Sequence, residues 1–477
     1  MLVDAPARPD SSAGLEALIR EARVRQRRRR RRVAALVLLA LSGTAAFAIG
    51  RRVGGGAPTV VRIPNGPVAN VGAFRGHGRL AFVSGSTLWV LDGTAGTLRR
   101  LPALARFAPS APVFSADGKW LAYLERARYG DDSRLWLARA DGSGARAVAG
   151  LRAVSLVGWS PVGDLLAVSA GQERTKRPCP CYSPTTVRVV SPDGSDRIVA
   201  RSSWVYGARW SPGGTALAVA ADLHPVSTIA VYPVSGGHGT TWLRLTARGR
   251  LNGLTGVLFD VAGWWPQLGI GFWVFGDGAV RNNDETPLDL VAAPGASPRL
   301  LGQTLSDGTT DAVAAGSRGE VAIVTDHGGG RAAWQDKRVE VCGTGRCSAL
   351  PHAAGDVTLD PSWAPDGTTL AYIEAPNVRT GPWSQRALAA WFAAHRVFLY
   401  DASTGHVRPL PAAHGATAIT WSHDGRSMLY VRDDALWLLP ALGGKAVRIV
   451  APIFRRAWPQ YFAQVAWSSQ FGWASNR

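Results

Sequence analysis

The chain has 477 residues and a formal net charge of +19; 18% of its residues are charged, and it holds 55 Gly and 19 Trp. That composition excludes a disordered chain, which is poor in aromatics, and disfavours a body of long helices, which draws on Glu, Lys and Leu. It suits many short strands joined by tight turns, in one large repeat domain or two or three ordinary ones.

Residues 1–32 hold ten Arg, including the run Arg27, Arg28, Arg29, Arg30, Arg31 and Arg32, against Asp4, Asp10, Glu16 and Glu21. Leu15, Leu18, Ile19 and Ala22 fall at helical spacing, so residues 12–25 are expected to form a short amphipathic helix. Two roles are open to it: lying on anionic lipid of the inner leaflet, where each Arg adds about 1 kcal/mol, or docking a cytoplasmic partner. Residues 33–50 form an uncharged run of 18 (VAALVLLALSGTAAFAIG). As a helix it would span about 27 Å, just enough for a hydrocarbon core of about 30 Å. The basic run on its N-terminal side places the N-terminus in the cytoplasm and the rest outside. The alternative is a cleaved signal peptide ending at Ala46-Phe47-Ala48 and a secreted body. Residues 51–67 read as a linker, and 68–477 as the exported domain.

That domain repeats itself. One phrase reads VFSADGKWLAYLE from Val113, VGWSPVGDLLAVSA from Val157, ARWSPGGTALAVAA from Ala208, SWAPDGTTLAYIE from Ser362 and TWSHDGRSMLYVR from Thr420. Phe114, Trp159, Trp210, Trp363 and Trp421 anchor these copies, 45, 51, 153 and 58 residues apart. The long gap is three repeats, and diverged copies fill it from Val257 and Ala312; another precedes the first, from Ala73. Each copy is followed by a second pair of strands around a Gly-rich turn, such as LWVLDGTAGTLRRL from Leu88 and VFLYDASTGHVRPL from Val397. One unit is therefore strand, Asp-Gly turn, strand, loop, strand, turn, strand.

A four-stranded sheet of about 50 residues cannot cover both its faces alone; stacking such sheets radially buries them against each other and closes a ring. The fold expected is all-β: a β-propeller of four-stranded antiparallel blades, eight in number, with seven as the alternative, preceded by one transmembrane helix. The Trp and Phe anchors then fill the space between blades. QVAWSSQFGWA from Gln464 is a ninth start, with Trp467 46 residues after Trp421; it is expected to lend a strand to the first blade.

The phrase W-S-P-D-G-x-x-L-A resembles the WD40-like repeat of the TolB-type propellers. The resemblance covers roughly residues 73–475 and rests on Phe114-Ser115-Ala116-Asp117-Gly118, Trp159-Ser160-Pro161, Trp210-Ser211-Pro212, Trp363-Ala364-Pro365-Asp366-Gly367 and Trp421-Ser422-His423-Asp424-Gly425. The copies near Phe259 and Ala315 depart from it. It implies a propeller that binds proteins or other ligands, sometimes as part of a larger enzyme. TolB's extra α/β domain has no counterpart here, so its partners are not carried over.

No G-x-S-x-G elbow, H-E-x-x-H, P-loop or EF-hand loop occurs, and the glycines around His77 run into a strand where a dinucleotide fingerprint needs a helix. No catalytic residue, cofactor, metal or nucleic-acid partner is assigned, and a monomer is expected. Cys342 and Cys347 flank a hairpin turn, so they are candidates for a disulfide. Cys179 and Cys181 lie in a loop, and pairing between the two sets stays open.

The turns share one rim of the ring and the longer loops the other. On the loop rim, residues 375–395 carry PWSQRALAAWFAAH, a short helix. Trp383, Arg386, Trp391, Phe392 and Arg396 are the candidate binding residues there; the alternative is that this helix caps the blade beneath it. The expected function is a membrane-anchored extracytoplasmic module binding a protein or envelope ligand. The alternatives are a transmembrane regulator acting through residues 1–32, and a lyase or hydrolase using the propeller channel.

Overall fold

The computed structural model describes residues 60–476 apart from 103–106, 128–132, 174–181, 223–225, 247, 277–285, 305–312, 329, 331 and 454–466. The basic segment 1–32, the apolar run 33–50, Cys179 and Cys181 lie outside the described residues. Among the described residues no helix is long and apolar enough to cross a membrane. A compact unit runs from Pro58 to Arg477.

Apart from two hairpins of two-residue strands, the strands described in it form eight four-stranded antiparallel groups. Blade 1 joins the C-terminal strand Phe471–Ala474 to Arg79–Ser84, Thr87–Asp92 and Thr97–Arg100. Blades 2 and 3 share the long strand Arg146–Trp159, whose first half closes blade 2 and whose second half opens blade 3. Blades 4 to 8 open on Trp204–Trp210, Leu258–Trp265, Val313–Ala315, Asp356–Trp363 and Thr417–Trp421. These first strands touch in series along the chain, so they are the innermost. The diverged copies thus keep their blades, although the first strand of blade 6 shrinks to three residues.

The ring is joined as the sequence implies. Phe471 to Ala474 pair with Phe82 to Arg79, tying the last strand of the chain to the second strand of blade 1. A second join was not foreseen. Within the stretch read as a linker, Val61–Arg62 pairs with Val68–Ala69, which pairs with the outermost strand of blade 8, Val447–Ala451. The intervening Pro-Asn-Gly is a hairpin turn, and apolar Val61 and Ala69, opposite each other in register, give the short strands a side to bury.

Register shows why the phrase repeats. Phe114, Trp159, Trp210, Trp363 and Trp421 each end the first strand, opposite Leu121, Leu166, Leu217, Leu370 and Met428. The equivalent residues in the diverged copies are Trp264, opposite Ile270, and Ala315, opposite Val321. In blade 1 it is Trp473, opposite Leu80, and not Trp467, which lies in the helical turn before the strand. In blades 3, 4 and 8 the indole N–H reaches back to the blade before: Trp159 donates to the Val113 carbonyl at 3.0 Å, Trp210 to Gly158 at 2.8 Å and Trp421 to Ser362 at 2.9 Å. Each acceptor directly precedes the aromatic anchor of its own blade. A buried indole thus supplies both apolar area and a satisfied donor.

The rest of the phrase is turn chemistry. The Ser422 hydroxyl donates to Asp424 at 2.6 Å and accepts the Ser427 N–H at 2.9 Å, while Gly425 takes a φ of 69°. Ser115, Asp117 and Gly118 repeat this arrangement. The tyrosine of L-A-Y, M-L-Y in blade 8, is equally specific. Tyr123, Tyr372 and Tyr430 are fully buried, and their hydroxyls donate to the carbonyls of Pro102, Pro351 and Ala412 on the connections between blades.

Deleting residues 467–477 removes the Trp473 strand and bares the edge of Arg79–Ser84, an exposed template for pairing. The expected result is a broadened, lowered thermal transition with oligomers on size exclusion. A melting temperature within about 2 °C of wild type would show that the join does not hold the ring.

Candidate functional site

The long loops of blades 6 and 7 build one surface. In blade 7 the chain leaves Thr369–Pro376, makes a helix at Gln385–Ala393 (α1), and returns as Arg396–Asp401. Ser384 caps α1, its hydroxyl accepting the Ala387 N–H at 3.1 Å. This nine-residue helix is too short to stand alone; burial of Leu388 and Trp391, one turn apart, holds it down. The Trp391 indole donates to the Pro376 carbonyl at 2.9 Å. The helix therefore caps its blade, and the opposite side of α1 leaves Arg386 exposed.

Blade 6 contributes Trp334, a residue not singled out by sequence. It is 4% exposed and meets two rings edge to face: Trp383 at 5.5 Å and Trp391 at 6.4 Å. Its carbonyl accepts the Val378 N–H at 2.8 Å, and Asn377 donates to Asp336 at 2.6 Å, so the two loops are stitched together. Beneath them the fully buried Lys337 ammonium lies 2.5 Å from Asp326 and donates to the Gln335 carbonyl at 2.8 Å. Asp326 also accepts the Gly330 N–H at 3.0 Å. A buried ion pair with its remaining valences satisfied fixes geometry more than it adds stability. Only the pattern AAWQDK, an aromatic beside a Gln-Asp turn, hinted at Trp334.

On this rigid base Trp383 is 67% exposed, the most exposed large hydrophobic among the described residues. The five sequence candidates thus divide. Trp383 and Trp391 converge on Trp334, with the half-buried Phe392 against Trp391, while Arg386 is exposed on the other side of α1. Arg396 turns away, paired with Asp356 and with Glu374 at 3.4 Å, its guanidinium 5.8 Å from the Phe398 ring centre. His395 closes the cluster from below, 1% exposed and 4.5 Å from Trp391 centre to centre. Its Nδ1 is 3.0 Å from the Ala416 carbonyl, while Nε2 has no hydrogen-bond partner.

Two other places carry polar groups. Among the innermost strands, Arg209 donates to the Ala262 carbonyl across the blade boundary, with Asp260 as its nearby countercharge. Asp360 sits at a bulge with φ 47° and accepts from the Thr417 hydroxyl at 2.7 Å. Burial raises its pKa above the ordinary carboxylate value. At the turn rim, a cavity of about 680 Å3 is lined by residues including Phe114, Asp117, Trp421, His423 and Trp473. Among the described residues no three His, Cys, Asp or Glu are grouped to hold a metal. Cys342 and Cys347 are joined as a disulfide across the blade 6 hairpin.

Neither family models nor curated proteins match the chain. Solved structures do. One, from work on two prolyl endopeptidases, is 14% identical with a TM-score of 0.45, covering 76% of this chain; the chain spans 54% of its length. An oligogalacturonate lyase in complex with manganese is 12% identical with a TM-score of 0.39, covering 78% of this chain and 85% of the lyase. The β-propeller domain of the trilobed protease from Pyrococcus furiosus is 9% identical with a TM-score of 0.41, covering 75% of this chain and all of that domain. No chemistry is carried from these proteins to this chain.

Two buried groups give the fold opposite pH dependences. Burial, with His414 nearby, holds the His395 pKa down to about 4. The unfolded chain takes up this proton first, so stability is full above about pH 6.5 and falls by on the order of 3 kcal/mol towards pH 4. Burial raises Asp289 to about 6, against one hydrogen bond from Asn252. Its contribution is full below about pH 4 and is lost as pH rises through 6. The two slopes oppose each other. His395→Leu should therefore leave a protein whose stability falls as pH rises from 4 to 6.5, and Asp289→Asn one that gains about 2 kcal/mol at pH 8 and nothing at pH 4. Urea unfolding across that range checks both; parallel curves for all three proteins would refute the assignment.

Proposed function

We propose that the chain is an envelope-anchored, non-catalytic propeller that docks a protein partner on the loop rim of blades 6 and 7. The observation that supports this is the exposed Trp383 indole standing on buried Trp334 over a locked frame. Rigid aromatic anchors ringed by polar groups carry most of the energy at protein interfaces, and Arg386 supplies an adaptable charge at the edge. Residues 33–50 would hold the propeller outside the membrane with Arg27 to Arg32 inside, in keeping with the TolB-like repeat phrase.

The test is capture of partners from the native envelope by the full chain in detergent, followed by affinity measurement with the recovered protein. Trp383→Ala is expected to weaken binding by about 2 kcal/mol, roughly thirtyfold, with unchanged thermal unfolding. Equal affinity of wild type and variant would remove Trp383 from the interface and the proposal with it.

A further inference from the structure

Charge in the propeller is sorted by radius. The innermost strands of the eight blades carry Asp260, Asp356 and Asp360 against Arg209. The fourth strands, counting the first half of Arg146–Trp159, carry ten Arg and one acid, Asp196, which is paired with Arg188. Composition does not account for this, because the chain beyond residue 32 holds 43 basic and 30 acidic residues. Seven of the eight described fourth strands bear at least one Arg. Arg99 and Arg100 in blade 1, Arg197 and Arg201 in blade 3, and Arg408 in blade 7 are exposed. On blade 8, where the hairpin from the N-terminal side covers the fourth strand, exposed Arg62 keeps the sign on the new edge.

Protection of a sheet edge needs only an occasional charge, Lys above all, a Pro or a bulge. An excess of ten Arg over one acid, spread over seven of the eight described edges, answers a different demand. We propose that this arginine belt is a docking surface for a linear polyanion, a polymer of repeating phosphate or carboxylate groups lying along the circumference. Guanidinium forks match both groups in two-bond geometry, and closely spaced like charges release counterions together. The circular distribution favours a flexible polymer over a bilayer, since a flat surface meets one arc of a ring at a time. The belt and the Trp383 surface are separate, so failure of one leaves the other standing.

The experiment titrates labelled long-chain inorganic polyphosphate with the full chain, residues 1–32 being common to all variants, over a series of NaCl concentrations. The variants are Arg99→Ser/Arg100→Ser, Arg197→Ser/Arg201→Ser, their combination, and the control Arg318→Ser/Arg426→Ser on the turns. Each belt pair should weaken binding roughly tenfold at low salt and lower the log–log salt slope by about 1.5. The combination should add both effects, and the control should stay within about twofold of wild type. Three results would overturn the proposal: a control as damaging as the belt pairs, loss of all binding from one pair, or binding to phosphatidylglycerol vesicles without binding to polyphosphate.

Discussion

A sheet of four short strands has two apolar faces and no means of covering either. Everything else in this chain follows from having to cover each face with the next copy. The indoles of Trp159, Trp210 and Trp421 meet that demand twice, filling the gap between neighbours and donating their N–H groups to the carbonyl just ahead of the previous anchor. A purely apolar wedge would leave that carbonyl unsatisfied in a buried seam. Blade 6 shows the alternative. Ala315 replaces the indole there, and the Trp363 ring of blade 7 sits where a side chain on Gly316 would be, its N–H without a partner.

The repeat was legible because turn chemistry and blade packing both act locally. Ser-x-Asp-Gly specifies a turn by its own hydrogen bonds, and the aromatic before it needs only the adjacent copy. Where a position was misread, its partner lies far off in sequence. Trp467 keeps the expected spacing, yet Trp473 holds the register, because pairing with Leu80 decides it. The hairpin of Val61–Arg62 and Val68–Ala69 was missed for the same reason, since it is held by Val447–Ala451 far along the chain and two-residue strands leave no periodicity.

The loop-rim surface was half legible. Trp383, Trp391 and Phe392 advertise themselves in one helix-like segment, and the structure brings them together. Trp334 and the Lys337–Asp326 pair come from the neighbouring blade, and nothing in their spacing points to blade 7. Nor could sequence tell which aromatic faces solvent. Trp391 and Trp383 are alike in composition and opposite in exposure, because one follows the inner side of α1 and the other precedes its cap.

The two ends of the compact unit are secured very differently. The last strand is the innermost of blade 1, enclosed between blades, while the first is the rim of blade 8, attached through two paired residues of Val68–Ala69. Tension applied along the chain ahead of residue 60 therefore falls on the weakest bonds first. Such a pull would peel away a short hairpin and leave the pairing of Phe471–Ala474 with Arg79–Ser84 in place. The short hairpin is the part of the compact unit that such a pull meets first.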